Sequence, residues 1–126
     1  MTHFFAVAIG GMIGALSRYY LGLASIVLLG KDFPYGTLIA NILGSFISGV
    51  LVILIFEKAL LNETWRLLLI IGFCGSLTTF STFSLDTIQL FDLGYYLKAF
   101  MNIILNLTLT LTATGIAIFL THQLIK

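Results

Sequence analysis

The chain has 126 residues, 60% of them hydrophobic and only 9% charged, with a formal net charge of +1 and a mean hydropathy of +1.12. Soluble domains carry about 25% charged residues, so this composition excludes a soluble enzyme, a charge-held nucleic-acid binder and a disordered segment. It describes an all-α integral membrane protein of one domain, residues 1–126, with the lipid bilayer as its solvent.

A helix needs about 20 apolar residues to cross the hydrocarbon core, and the charged residues punctuate the chain into four such stretches. The first runs over about residues 4–29 and ends at Gly30-Lys31-Asp32. Its N-terminus, MTHFFAVAIGG, has no Lys or Arg and no small-residue cleavage site, so it reads as a retained helix rather than a signal peptide. The second covers about 35–56 and follows Pro34, whose missing N–H suits a helix start. A polar loop from Glu57 to Thr64 leads to the third, about 65–91, which begins at the interfacial anchor Trp65. Asp92-Leu93-Gly94 ends it, and the fourth covers about 95–124.

Short loops make successive helices antiparallel neighbours. Lys58, Arg66 and Lys126 then share a side with the N-terminus, while Lys31, Lys98 and Arg18 lean to the other. Orientation is normally set by an excess of Lys and Arg on the cytoplasmic side, and this chain has none. Two readings stand: insertion in both orientations, or a weak bias resolved by the insertion machinery. Dual insertion permits an antiparallel homodimer, a closed two-fold assembly. Four helices alone are too few to line a pore and shield it from lipid.

Small residues mark where these helices approach one another. Gly10 and Gly14 lie on the first span; Gly36, Ala40, Gly44 and Ser48 recur every fourth residue on the second. Such spacing lets membrane helices pack backbone to backbone. Beside them runs the row Asn41, Ser45, Gly49. An amide near mid-membrane needs a partner or water, so Asn41 is either glue between helices or a pore-facing group. On the fourth span Asn102, Asn106, Thr110 and Thr114 form a polar face with nothing ionisable, able to line an ion path. Thr108 and Thr112 blur the contrast, because threonines also bond back to their own helix.

The third span is written differently. From Gly72 it reads GFCGSLTTFSTFS, with two glycines and then β-branched and hydroxyl residues, where helix propensity is poor. Irregular backbone at membrane depth is tolerated only when buried in protein or lining a cavity. A break is therefore expected near Gly75 to Thr79, facing the interior of the assembly, and freed carbonyls at such breaks suit cations. Phe80 and Phe83 follow at i, i+3, among Ser81, Thr82 and Ser84. Core packing is the ordinary reading of a phenylalanine pair. In this polar setting their rings, which carry a positive edge, could instead meet an anion without a fixed charge.

With these residues in view, the sequence resembles the small bacterial fluoride channels of the CrcB or Fluc family over essentially its whole length. The resemblance rests on GGMIGALSRY at 10–19, GTLIANILGSF at 36–46 and above all GFCGSLTTFSTFS at 72–84. It implies an antiparallel homodimer in the bacterial inner membrane with two pores, each passing fluoride down its gradient out of the cell. It further implies that Phe80 and Phe83 line the pore with Asn41, with Ser81 and Thr82 near the path and Asn102, Asn106 and Thr110 as a polar track. Arg18 would sit at the aqueous vestibule. Gly75 and Thr78 would hold, through their backbone carbonyls, a structural Na⁺ that is not transported.

The rival reading is a small proton-coupled multidrug exporter, whose chemistry requires an acidic residue deep in the first span. That span contains Arg18 and no Asp or Glu, and only Asp86 among the acids falls within a span. An intramembrane enzyme is disfavoured, since His3 and His122 sit at the ends and no Ser–His or His–Glu pattern lies between. Cys74 has no charged neighbour in sequence to activate it and reads as a small packed hydrophobe.

Overall fold

The computed structural model describes residues 1–126, all helical or in short connections. Helix α1 spans Thr2–Leu29, and α2 spans Tyr35–Val52 and continues through a π-helical turn, π1, over Ile53–Glu57. The third span is a composite. It opens with a short turn, α3, at Glu63–Arg66, widens into a π-helical segment, π2, at Leu67–Cys74, and closes with α4 at Gly75–Leu77. It resumes as α5 at Phe80–Asp92, and α6 runs over Tyr96–Leu124. Four stretches, Thr2–Leu29, Tyr35–Glu57, Glu63–Asp92 and Tyr96–Leu124, are long and apolar enough to cross a membrane.

The ends of these elements follow from local chemistry. Asn62 caps α3, its side-chain oxygen accepting the Trp65 N–H at 3.2 Å, and Thr79 caps α5 by accepting the Thr82 N–H at 3.2 Å. Such caps satisfy donors that have no partner inside the helix. Gly30 and Gly94 end α1 and α5 at φ 86° and 81°, a left-handed backbone that glycine adopts without a Cβ penalty.

Helix α1 packs on π2, α2 and α4, whereas α6 packs on α2 and α5. The first contact depends on close backbone approach: a Cβ at Gly10 would overlap the Leu68 carbonyl oxygen, and one at Gly14 the Phe73 carbonyl oxygen. Only 23 of 126 residues are buried, and large apolar side chains such as Phe4, Met12, Leu16, Phe80 and Phe119 face outward. Water cannot solvate that surface favourably; lipid, or a second copy, can.

Candidate functional site

The polar residues of α2 converge opposite Thr78 and Thr79, between α4 and α5. Asn41, Ser45 and Ser48 lie at i, i+4 and i+7, so they share one face of α2. Gly44 lies beside that row, and a Cβ there would overlap the Thr78 methyl group. Opposite them the backbone is extended at Thr78 (φ −80°, ψ 152°) and Thr79 (φ −150°, ψ 121°). An irregular stretch in lipid must find partners for its peptide groups, and Asn41 supplies them. Its Oδ1 accepts the Thr79 N–H at 2.7 Å, and its Nδ2 donates to the Thr79 carbonyl at 3.2 Å. The side-chain amide thus pairs with one residue's N–H and C=O much as a neighbouring strand would.

The same Nδ2 donates to Asn106 Oδ1 at 2.9 Å. Asn106 Nδ2 donates to the Asn102 carbonyl and Oδ1 at 2.9 and 3.0 Å. Asn102 Nδ2 donates to Thr87 Oγ1 at 2.9 Å, and Thr87 donates to the Phe83 carbonyl at 2.7 Å. One continuous chain of hydrogen bonds therefore ties α2 and α6 to both ends of the Thr79–Phe83 segment. Because the Thr79 N–H is donor-only, it fixes which end of the Asn41 amide is oxygen, and the direction of every later bond follows.

Around this chain lies a cavity of about 330 Å³ between α2, the start of α5 and α6. Its wall includes Asn41, Thr78, Phe80, Phe83, Asn106 and Thr110, and no charged side chain. The Phe80 and Phe83 rings meet edge to face, with centroids 5.3 Å apart at 61°. Phe83 is buried at 9% exposure while Phe80 is 74% exposed, so one ring is fixed in the fold and the other projects from it.

Other expected residues lie elsewhere. Asn102 has no exposed surface and braces Asn106 and Thr87 behind the cavity wall. Ser81 is exposed, its hydroxyl 3.3 Å from that of Thr79. Arg18 and Thr82 border a second cavity, of about 460 Å³, with Tyr19, Gly36 and Thr37. Arg18 Nε donates to the Ser76 carbonyl at 3.0 Å, so its guanidinium sits at the C-terminal end of α4, where carbonyls lack helical partners. Gly75 lies at the same turn, exposed.

Sequence reasoning missed Thr37 and Thr87. Thr37 Oγ1 donates to Asp86 Oδ2 at 2.9 Å, and the pair lines a third cavity, of about 360 Å³, near the α1–α2 connection. One signal was available for Thr37, which lies four residues before Asn41 on the same face. Thr87 had none, since its partner Asn102 is on another helix.

Four membrane-length helices around a polar cleft without charge make this chain a multi-pass membrane protein with an internal polar site. It belongs to the CrcB family: the family described as CrcB-like protein, Camphor Resistance (CrcB), matches residues 5–118. A protein of Vibrio vulnificus (strain YJ016) is 46% identical over 120 residues, covering 95% of this chain and 92% of its own. One from Sulfurihydrogenibium sp. (strain YO3AOP1) is 41% identical over 124 residues, covering 98% of this chain and 100% of its own. A longer relative from Methylococcus capsulatus is 42% identical over 120 residues, 95% of this chain and 53% of its own. Each of the three is named fluoride-specific ion channel FluC.

Proposed function

We propose that this chain forms a fluoride-selective channel that lets fluoride leave the bacterial cytoplasm passively across the plasma membrane. The observation that carries the reading is the Phe80–Phe83 edge-to-face pair on the wall of a cavity otherwise lined by amides and hydroxyls. Fluoride is small and strongly hydrated, so its path must replace water with hydrogen-bond donors and electropositive ring edges. A site without fixed charge also lets the ion go. Asn41, Asn106 and Thr110 border this route, Ser81 and Thr82 follow Phe80, and Arg18 with Thr82 borders the cavity that serves as vestibule.

The functional unit in this proposal is an antiparallel homodimer of chains inserted in both orientations. Its support is the balance of Lys and Arg between the two sides and the apolar surface a single chain leaves uncovered. The extended backbone at Thr78 and Thr79 is, in the same reading, the break of the third span at mid-membrane.

A structural Na⁺ at the centre of the dimer completes the proposal, held by the carbonyls of Gly75 and Thr78. The residues fit such an ion. The Thr79 N–H, which would return to Gly75 in an unbroken helix, goes to Asn41, and the Thr82 N–H goes to the Thr79 hydroxyl rather than the Thr78 carbonyl. Both carbonyls are thereby released as hard oxygen ligands. Bound there, the ion supplies a fixed positive charge that favours anions nearby.

The test is passive efflux from liposomes carrying the purified protein, read with a fluoride electrode and a chloride control. Rapid fluoride release with chloride retained is the expected result. Intact, folded protein that releases no fluoride overturns the proposal.

A further inference from the structure

We infer that Thr87, which lies outside the proposed path, is a positioning residue for it: its hydroxyl orients the Asn102 and Asn106 amides and secures the turn that carries Phe83. The inference rests on the channel reading above. Its basis is the direction of the hydrogen bonds that run from α5 into α6.

Thr87 is buried, at 6% exposure, one helical turn past Phe83. Its single hydroxyl proton goes to the Phe83 carbonyl at 2.7 Å, so toward α6 this hydroxyl can only accept. What it accepts is an Asn102 Nδ2 proton, at 2.9 Å. Asn102 has no exposed surface, so water does not stand in for that acceptor. The Asn102 amide is thereby set with its nitrogen toward α5 and its oxygen toward Asn106, whose Nδ2 donates to it at 3.0 Å. Asn106 presents its own oxygen to Asn41 Nδ2 at 2.9 Å, and Asn106 stands on the cavity wall. Through Asn102, Thr87 therefore sets which way a wall-lining amide is turned.

The other end of the chain agrees. The Thr79 N–H can only donate, and it takes the Asn41 oxygen. A donor at one end and an acceptor at the other admit a single sense for every amide between them. Without the Thr87 oxygen, Asn102 keeps a buried N–H that has lost its acceptor, which is costly. Turning that amide over would set its nitrogen against the Asn106 nitrogen, so Asn106 must turn as well. An anion is drawn to an N–H and repelled by a carbonyl oxygen, so the wall it meets changes without any change of shape. The same hydroxyl acts on the ring: its bond to the Phe83 carbonyl ties that turn to α6, and Phe83 in turn meets Phe80 edge to face. Asn41, Asn106 and Thr110 remain the polar groups of the path, and Thr87 aims them. Thr121 is the matched case. It too is 6% exposed and donates to the carbonyl four residues back at 2.7 Å, but it lies outside the cavity and bonds to no asparagine.

The test compares wild type, Thr87→Val, Thr87→Ala, Thr87→Ser and Thr121→Val in the fluoride-efflux assay, with size-exclusion elution as the check on folding. Side-chain amide NMR of protein carrying isotope-labelled asparagine, in micelles, reads the amides directly. Thr87→Val and Thr87→Ala are expected to slow fluoride release about tenfold and to move the Asn102 and Asn106 amide resonances. Thr87→Ser, which keeps the O–H, is expected to stay within about threefold of wild type with those resonances in place. Thr121→Val is expected to match wild type in both readouts. Conducting wild type with unchanged efflux in Thr87→Val and Thr87→Ala overturns the Thr87 assignment and leaves the channel standing. An equal loss in Thr87→Ser overturns it too, as does slowed efflux with unmoved amide resonances. If neither Thr87→Val nor Thr87→Ala folds while Thr121→Val does, the hydroxyl is a requirement of folding and the positioning role falls. Wild-type protein that releases no fluoride removes the channel reading and this assignment together.

Discussion

Replacing Asn41 with Ala tests whether one side chain holds the irregular backbone of the third span. The substitution removes three hydrogen bonds, to the Thr79 N–H, the Thr79 carbonyl and Asn106 Oδ1. Interhelical side-chain bonds in membranes average about 0.6 kcal/mol each, because the unfolded state in lipid also finds partners. On that scale the three together contribute about 2 kcal/mol. The Thr79 N–H is a different case, since a backbone donor left unpaired costs about 1–3 kcal/mol. Adding that penalty raises the expected loss to about 3–5 kcal/mol, unless water from the cavity hydrates the freed group and returns the loss to the lower figure.

The assay is reversible unfolding in mixed micelles, followed by the fluorescence of Trp65, the only tryptophan. Asn41→Asp is the informative companion. It keeps an oxygen for the Thr79 N–H but, once ionised, turns an acceptor toward the Thr79 carbonyl and Asn106 Oδ1 and places an unpaired negative charge at membrane depth, so it should be no more stable than Ala. We expect both variants to lose stability and Asp to be nearly inactive in efflux. An Ala variant within about 0.5 kcal/mol of wild type would refute the clamp, because no rearrangement of the neighbours could then leave Thr79 unpaired.

Phe80→Ile and Phe83→Ile should both reduce fluoride efflux, and unchanged flux in both would sink the ring-edge role. Their stabilities should differ: Phe83 is packed and Phe80 is exposed, so only Phe83→Ile should lower unfolding stability, by about 1–2 kcal/mol for a changed core shape. Exhaustive exchange into Na⁺-free buffer should weaken the dimer or stop transport; full function after that exchange would remove the ion from the account. Gly14→Val should prevent a folded product, since even a Cβ meets the Phe73 carbonyl, whereas Gly22→Ala should be tolerated because nothing lies within 4 Å of its added carbon. Comparable yields of monodisperse protein from both would refute the close α1–π2 contact.

The asparagines show how far the spacing could be read. Four-residue periodicity placed Asn41 on the Ser45 face and Asn102 on the Asn106 face, and both pairings hold in space. It could not say whether Asn41 was glue or lining. The structure shows the glue, with the amide protons engaged by Thr79 and by Asn106, 65 positions away, and places the residue at the edge of a cavity. Arg18 was equally opaque. Its partner, the Ser76 carbonyl, is 58 positions away, and no local pattern announces a carbonyl released by a helix end. The π-helical widening of the third span at Leu67–Cys74 also escaped.

Composition by itself determined that this chain lives in a membrane, and the interruptions in its apolar runs determined four spans. Both are sums over local transfer free energies, which need no knowledge of neighbours. Small residues at fourfold spacing marked where helices would touch, because a missing side chain is a local property too. Tertiary structure alone decided which polar groups bond to one another. A hydrogen bond depends on the position of both its ends, and in this fold the second end lies on another helix.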